Sequence, residues 1–151
     1  MLLIQPFLSN VRSASSQQPQ PKSFKAWCLQ RNSVPADTKQ TIDVLLKKAD
    51  TTDCKLANSK LNTLTELDLS DNRISDMKPL ARLTNLTDLS LMGNQISDVK
   101  PLAGLTKLTK LNLRQNKISD FTSLSGLTKL TDLWLNGNPI AEKVCPVKPE
   151  S

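Results

Sequence analysis

Three carboxylates stand at a fixed interval of 22 residues in the second half of this 151-residue chain: Asp76, Asp98 and Asp120, in ISDMKPL, ISDVKPL and ISDFTSL. Four amides keep the same interval, Asn72, Asn94, Asn116 and Asn138, the first three lying four residues ahead of an Asp. Aligned carboxylates are raw material for acid–base chemistry, and aligned amides for a polar binding site. Their periodicity argues for structure instead. Ser-Asp ahead of a Pro-Leu or Ser-Leu segment is the start signal of a short helix. An Asn at the point where a strand turns offers both a donor and an acceptor to backbone groups of successive periods. Left unpaired and buried, such an amide costs about 1–3 kcal/mol. Repetition at every period serves a stack rather than a ligand.

Other chemistry is sparse. Histidine and tyrosine are absent, which removes the commonest general base, the commonest metal ligand and the usual nucleophilic triads. There is no Gly-rich phosphate loop and no CxxC pair, and only four Gly occur in all. Cys28, Cys54 and Cys145 lack metal-ligand spacing. No cofactor and no metal are expected, and an enzyme would need a carboxylate or Ser-Lys site that the pattern does not place.

The elements that hold these residues come from one recurring phrase. LTELDLSDNRI begins at Leu64, LTDLSLMGNQI at Leu86, LTKLNLRQNKI at Leu108 and LTDLWLNGNPI at Leu130. The first three copies continue through Met77, Val99 or Phe121 and two further Leu, and the fourth stops after Ile140. This pattern predicts an α/β solenoid: a right-handed coil, one turn per phrase, with a strand of about five residues whose alternate Leu point inward. Parallel strands roughly 4.8 Å apart stack equivalent Leu and Ile into columns under a concave parallel sheet. Short 3-10 or loop segments then return along the convex side.

The 22-residue form with I-S-D-x-x-P-L resembles the leucine-rich repeats of bacterial internalins and of the internalin-like proteins common in cyanobacteria. The likeness covers Leu64 to about Cys145, and with the cap Trp27 onward. It implies a recognition or adhesion role with no defined ligand, since such repeats carry unrelated partners.

Four regions follow: a signal-like or disordered leader and linker at 1–23, an N-terminal helical cap at 24–63, the repeats at 64–140, and a short C-terminal tail or truncated cap at 141–151. An end coil exposes its Leu layer, so a helical cap must cover it. PADTKQTIDVLLKKADTTDC reads as helical, with Ile42, Leu45 and Leu46 on one side and Asp37 as its N-cap. A Cys28–Cys54 bridge would staple this cap, worth about 3.5 kcal/mol in the chain-entropy model, and would require an oxidising compartment. Two reduced, buried cysteines in the cytosol are the other reading. Cys145 is then left free, buried or deprived of a partner beyond the chain end.

MLLIQPFL is a minimal apolar stretch followed by a Ser-, Gln- and Pro-rich linker. It reads as a secretory leader cut near Val11 and Ser13 whose basic part is missing, as a start assigned too late would leave it. The stretch is too short to span a bilayer. A secreted, periplasmic or cell-envelope location is expected, with a cytoplasmic location as the alternative.

The chain carries a formal charge of +6, yet Leu64 to Asn138 holds nine Lys or Arg against eight Asp or Glu. The surplus belongs to the caps and tails. With two Trp, three Phe and no Tyr, a nucleic-acid groove is not expected.

The outward strand positions of the concave sheet vary while the inward ones do not. They read Glu66, Asp68, Ser70 and Asp71; Asp88, Ser90, Met92 and Gly93; Lys110, Asn112, Arg114 and Gln115; Asp132, Trp134, Asn136 and Gly137. Met92, Arg114 and Trp134 are the expected hot spot. Alternatively, Trp134 only shields the last coil and Arg114 pairs with Asp132 or Asp88. Sixteen positions are fewer than the 20–30 or so of a standard interface, which suggests a peptide-sized or weak partner, or help from the cap. The leading expectation is therefore a non-catalytic protein- or peptide-binding module, exported, and monomeric or weakly associated. An intracellular regulatory subunit of a protein phosphatase-like enzyme is the alternative.

Overall fold

The computed structural model describes residues 19–140, so the apolar leader stretch, the proposed cleavage site at Val11 and Ser13, and Cys145 lie outside the described residues. Three helices come first: α1 (Phe24–Leu29), α2 (Ala36–Lys48) and α3 (Cys54–Thr63). Ser23 caps α1 by accepting from the Ala26 N–H at 3.2 Å, and Asp53 caps α3 by accepting from Leu56 at 2.6 Å. Asp37 does not cap α2. Pro35 occupies that position without a side-chain bond, and Asp37 lies within the first turn. There its charge still faces the positive end of the helix dipole.

Phe24, Trp27, Ile42, Leu45, Leu46, Ala57 and Leu61 close the cap and join the core of the coil. Cys28 and Cys54 form a disulfide with a Cα–Cα distance of 5.6 Å, tying α1 to the start of α3. Hydrogen bonds from α2 fasten the cap to the first coil. The hydroxyls of Thr38 and Thr41, on α2, donate to the carboxylate and the backbone carbonyl of Asp76, each at 2.6 Å.

The coil contributes four parallel strands, β1 (Glu66–Asp68), β2 (Asp88–Ser90), β3 (Lys110–Asn112) and β4 (Asp132–Trp134), in the order β1-β2-β3-β4. Leu67, Leu89, Leu111 and Leu133 stand opposite one another across the sheet. Below them Leu69, Leu91 and Leu113 are fully buried, as are Ile74, Ile96 and Ile118. Each such side chain contributes about 1.5–3 kcal/mol of apolar burial that one coil alone cannot supply. The convex side carries 3-10 turns at Lys78–Leu80, Lys100–Leu102 and Thr122–Gly126.

The strands are three residues long, not five, and three positions beyond each strand the coil turns at a left-handed residue: Asp71, Gly93, Gln115 and Gly137 all have φ between 53° and 76°. Interstrand bonding persists up to that corner. Asp71 N–H donates to Met92 O at 2.9 Å and Gly93 N–H to Arg114 O at 3.0 Å. At Gly93 the positive φ is what favours glycine, and a Cβ there would also require the Asp71 carboxylate of the preceding coil to swing aside.

Burial falls off at the last coil. Leu133 is 37% exposed where Leu111 is fully buried, and Phe121 is 39% exposed where Met77 and Val99 are 1%. Among the described residues no further coil stacks on these two positions.

Candidate functional site

The Asn and Asp columns are absorbed by the scaffold. The Oδ1 of Asn94 accepts from the N–H groups of Asn72 and Ile74, and its amide group donates to the carbonyls of Leu69, Leu91 and Met92. Asn116 and Asn138 repeat the arrangement one coil on, each reaching back to the turn before it. Asn72 has only the cap behind it. Its side-chain amide donates to Ser70 O at 2.8 Å, and its backbone carbonyl accepts from the Gln40 side chain of α2 at 3.0 Å.

Asp76, Asp98 and Asp120 each accept from the backbone N–H two residues ahead, at 2.9, 3.0 and 2.8 Å, and so open the convex 3-10 turns. The N–H and hydroxyl of Thr122 hold the exposed carboxyl of Asp120 below its ordinary range. Among the described residues no group of three or more metal-type side chains exists.

What faces solvent on the concave side is a grid. Strand register places Glu66, Asp88, Lys110 and Asp132 in one row, and Asp68, Ser90, Asn112 and Trp134 in the next. In a parallel sheet, neighbours in a row lie roughly 4.8 Å apart. The row charges therefore interact. Lys110 Nζ lies 3.5 Å from Asp88 Oδ1. Asp68 accepts from the hydroxyl of Ser70 at 2.6 Å and from its N–H at 2.9 Å. Those two bonds, with a smaller contribution from Lys48, hold its carboxyl below the ordinary range against a mild opposing effect of burial. A shallow concavity of about 260 Å³ opens over the grid, lined by Glu66, Asp68, Asp88, Lys110, Asn112 and Trp134 among others.

Arg114, Met92 and Asn136 lie outside this concavity, on the stretch between strand and corner. Arg114 makes no ion pair with Asp132 or Asp88. Its guanidinium sits over the Trp134 ring at 5.6 Å from the centroid, since Trp134 is the register neighbour of Asn112, two residues before Arg114. Trp134 itself is half-buried on the final strand.

One set of positioning residues escaped the sequence reading. The hydroxyls of Thr87 and Thr131 each have two acceptors within reach of their single proton, the carbonyl one coil back and the carboxylate of Asp88 or Asp132 at 3.0 and 2.9 Å, and so tether two acids of the grid. Their signal was the Thr that follows the first Leu in every copy.

Comparison with known proteins agrees with this geometry. Residues 62–104 and 106–148 match the family described as Leucine Rich repeats (2 copies). The chain therefore belongs to the leucine-rich repeat family, and its repeats are internalin-like. It is similar to an internalin (inlF) from Listeria monocytogenes at 30% identity and a TM-score of 0.61, over 68% of this chain and 31% of that one. Internalin C2 of the same organism is 35% identical with a TM-score of 0.50, over 63% of this chain and 51% of that one. The functional domain of InlJ, also from Listeria monocytogenes and including a cysteine ladder, is 28% identical with a TM-score of 0.62, over 82% of this chain. This chain spans 31%, 51% and 25% of the lengths of those three structures. No curated protein matches it.

Proposed function

We propose that the chain is a non-catalytic recognition module that holds a protein or peptide segment against its concave sheet. The observation that carries this reading is the register-locked grid, in which eight variable side chains are presented by strands whose buried faces are nearly invariant Leu. A rigid backbone lowers the ordering cost of binding, so a small patch can hold an extended segment. Arg114 stacked on Trp134 supplies the residue types that most often dominate interface energy. Met92 and Asn136 extend the patch toward the corner.

Export is part of the same proposal. It rests on the Cys28–Cys54 disulfide, which persists in oxidising compartments and weighs against a cytosolic regulatory subunit. Among the described residues no helix is long and apolar enough to cross a membrane.

Site-specific photo-cross-linking tests the reading. A photoreactive side chain at Asn112, on the sheet, should give discrete adducts from cell-envelope extract that the same group at convex Lys117 does not. Equal adducts from both sites would dismiss the concave patch.

A further inference from the structure

A second concavity, of about 290 Å³, opens on the convex side where α1 meets the first two 3-10 turns. Trp27, Pro101 and Gly104 are among its lining residues, together with Lys78, Arg82 and Lys100, and no Asp or Glu lines it. The nearest acid to Lys78 Nζ is Asp76, 3.9 Å away, whose carboxylate also accepts from Thr38 and from the Lys78 N–H. Asp98 is engaged by the Lys100 N–H.

The fold does not call for these cations. Lys78 and Lys100 occupy one position of successive repeats, and the third repeat has Thr122 there. Arg82 occupies a position that is Gly104 and Gly126 in the next two. Gly104 has no left-handed backbone angle, and a Cβ there would meet nothing closer than Ala81 O at 3.9 Å, so neither backbone nor packing demands glycine; its absent side chain leaves the floor open. Like charges on stacked turns repel, and an oxyanion between them removes that penalty. Two ammonium groups and a planar guanidinium are a donor set for phosphate or sulfate oxygens, and the Trp27 and Pro101 walls suit the carbon body of an ester.

We propose that this convex concavity binds a phosphate- or sulfate-bearing ligand, independently of the concave patch. The full chain is titrated with inorganic tripolyphosphate at fixed ionic strength and followed by two-dimensional NMR. In parallel it is sedimented with vesicles of phosphatidylglycerol diluted in phosphatidylcholine. Binding should shift the Trp27 indole and Gly104 amide resonances and leave those of Trp134 in place. The triple variant Lys78→Gln, Arg82→Gln, Lys100→Gln should weaken binding by about tenfold or more. A charge-matched control, Lys39→Gln, Lys55→Gln, Lys129→Gln, should not. Residue-dependent binding of tripolyphosphate alone names a soluble ester, and of the vesicles alone a lipid headgroup; either outcome supports the site. The proposal is overturned if neither probe binds, or if both triple variants weaken binding equally, since general positive charge would then account for it.

Discussion

Asn116 ties two successive coils together: its Oδ1 accepts the N–H of Ile96 at 3.0 Å while its amide donates to the carbonyls of Leu91, Leu113 and Arg114. The residue is only 7% exposed, so water does not replace these partners. Asn116→Ala should lower stability by about 2–4 kcal/mol, because the buried Ile96 N–H is orphaned. Asn138, half-buried on the last coil, should cost less on the same change. Urea unfolding of both variants checks this, and equal losses would show that burial is not what makes the column matter.

The disulfide acts on the unfolded chain. With a sequence separation of 26 between Cys28 and Cys54, replacing both by Ala should cost about 3.5 kcal/mol in the chain-entropy model. Thermal unfolding of the wild type with and without reductant should reproduce the shift. An unchanged midpoint would mean that the packing of Phe24 and Trp27 holds the cap unaided.

Leu111 is fully buried and Leu133 is 37% exposed, although they occupy the same column. Leu111→Ala should cost roughly 2–5 kcal/mol by opening a cavity, and Leu133→Ala no more than about 1 kcal/mol. Comparable losses would imply that the last coil is covered in solution.

Changing Arg114 and Trp134 together to Ala removes a cation–π contact that is open to solvent on one side. Stability should change by less than about 1.5 kcal/mol, whereas capture of the cross-linked partner should fall by about tenfold or more. Marked loss of stability with capture intact would assign the pair to the end of the stack.

Asp68 and Asp120 have folded-state pKa values below the ordinary 3.8. Their stabilising effect is therefore fully present above about that pH and is lost as pH falls through the lower folded values. The double change Asp68→Asn, Asp120→Asn should give a flatter decline of melting temperature with acid below about pH 4. Superimposable acid limbs would remove these two groups from the account. Solvent screening makes the effect small.

Much of this architecture was legible because the repeat spells out its own contacts. The interval between Leu67, Leu89, Leu111 and Leu133 dictates a stack, and an Asn at every turn dictates a bonded column, since both follow from periodicity and the cost of burying unpaired groups. The identity of the solvent-facing residues was readable for the same reason. The corner was less so: Gln115 adopts a left-handed angle that its residue type does not announce, where two of the other coils have Gly. Nor was the placement of Arg114, whose guanidinium lies over the Trp134 ring and not against a carboxylate. The amino-acid sequence by itself determined the coil, its register and the face that varies, because these repeat locally. Tertiary structure alone decided how Thr38 and Thr41 clasp Asp76, and how Trp27 comes to share a concavity with three cations, because both join α1 or α2 to turns tens of residues away and no local rule spans that distance.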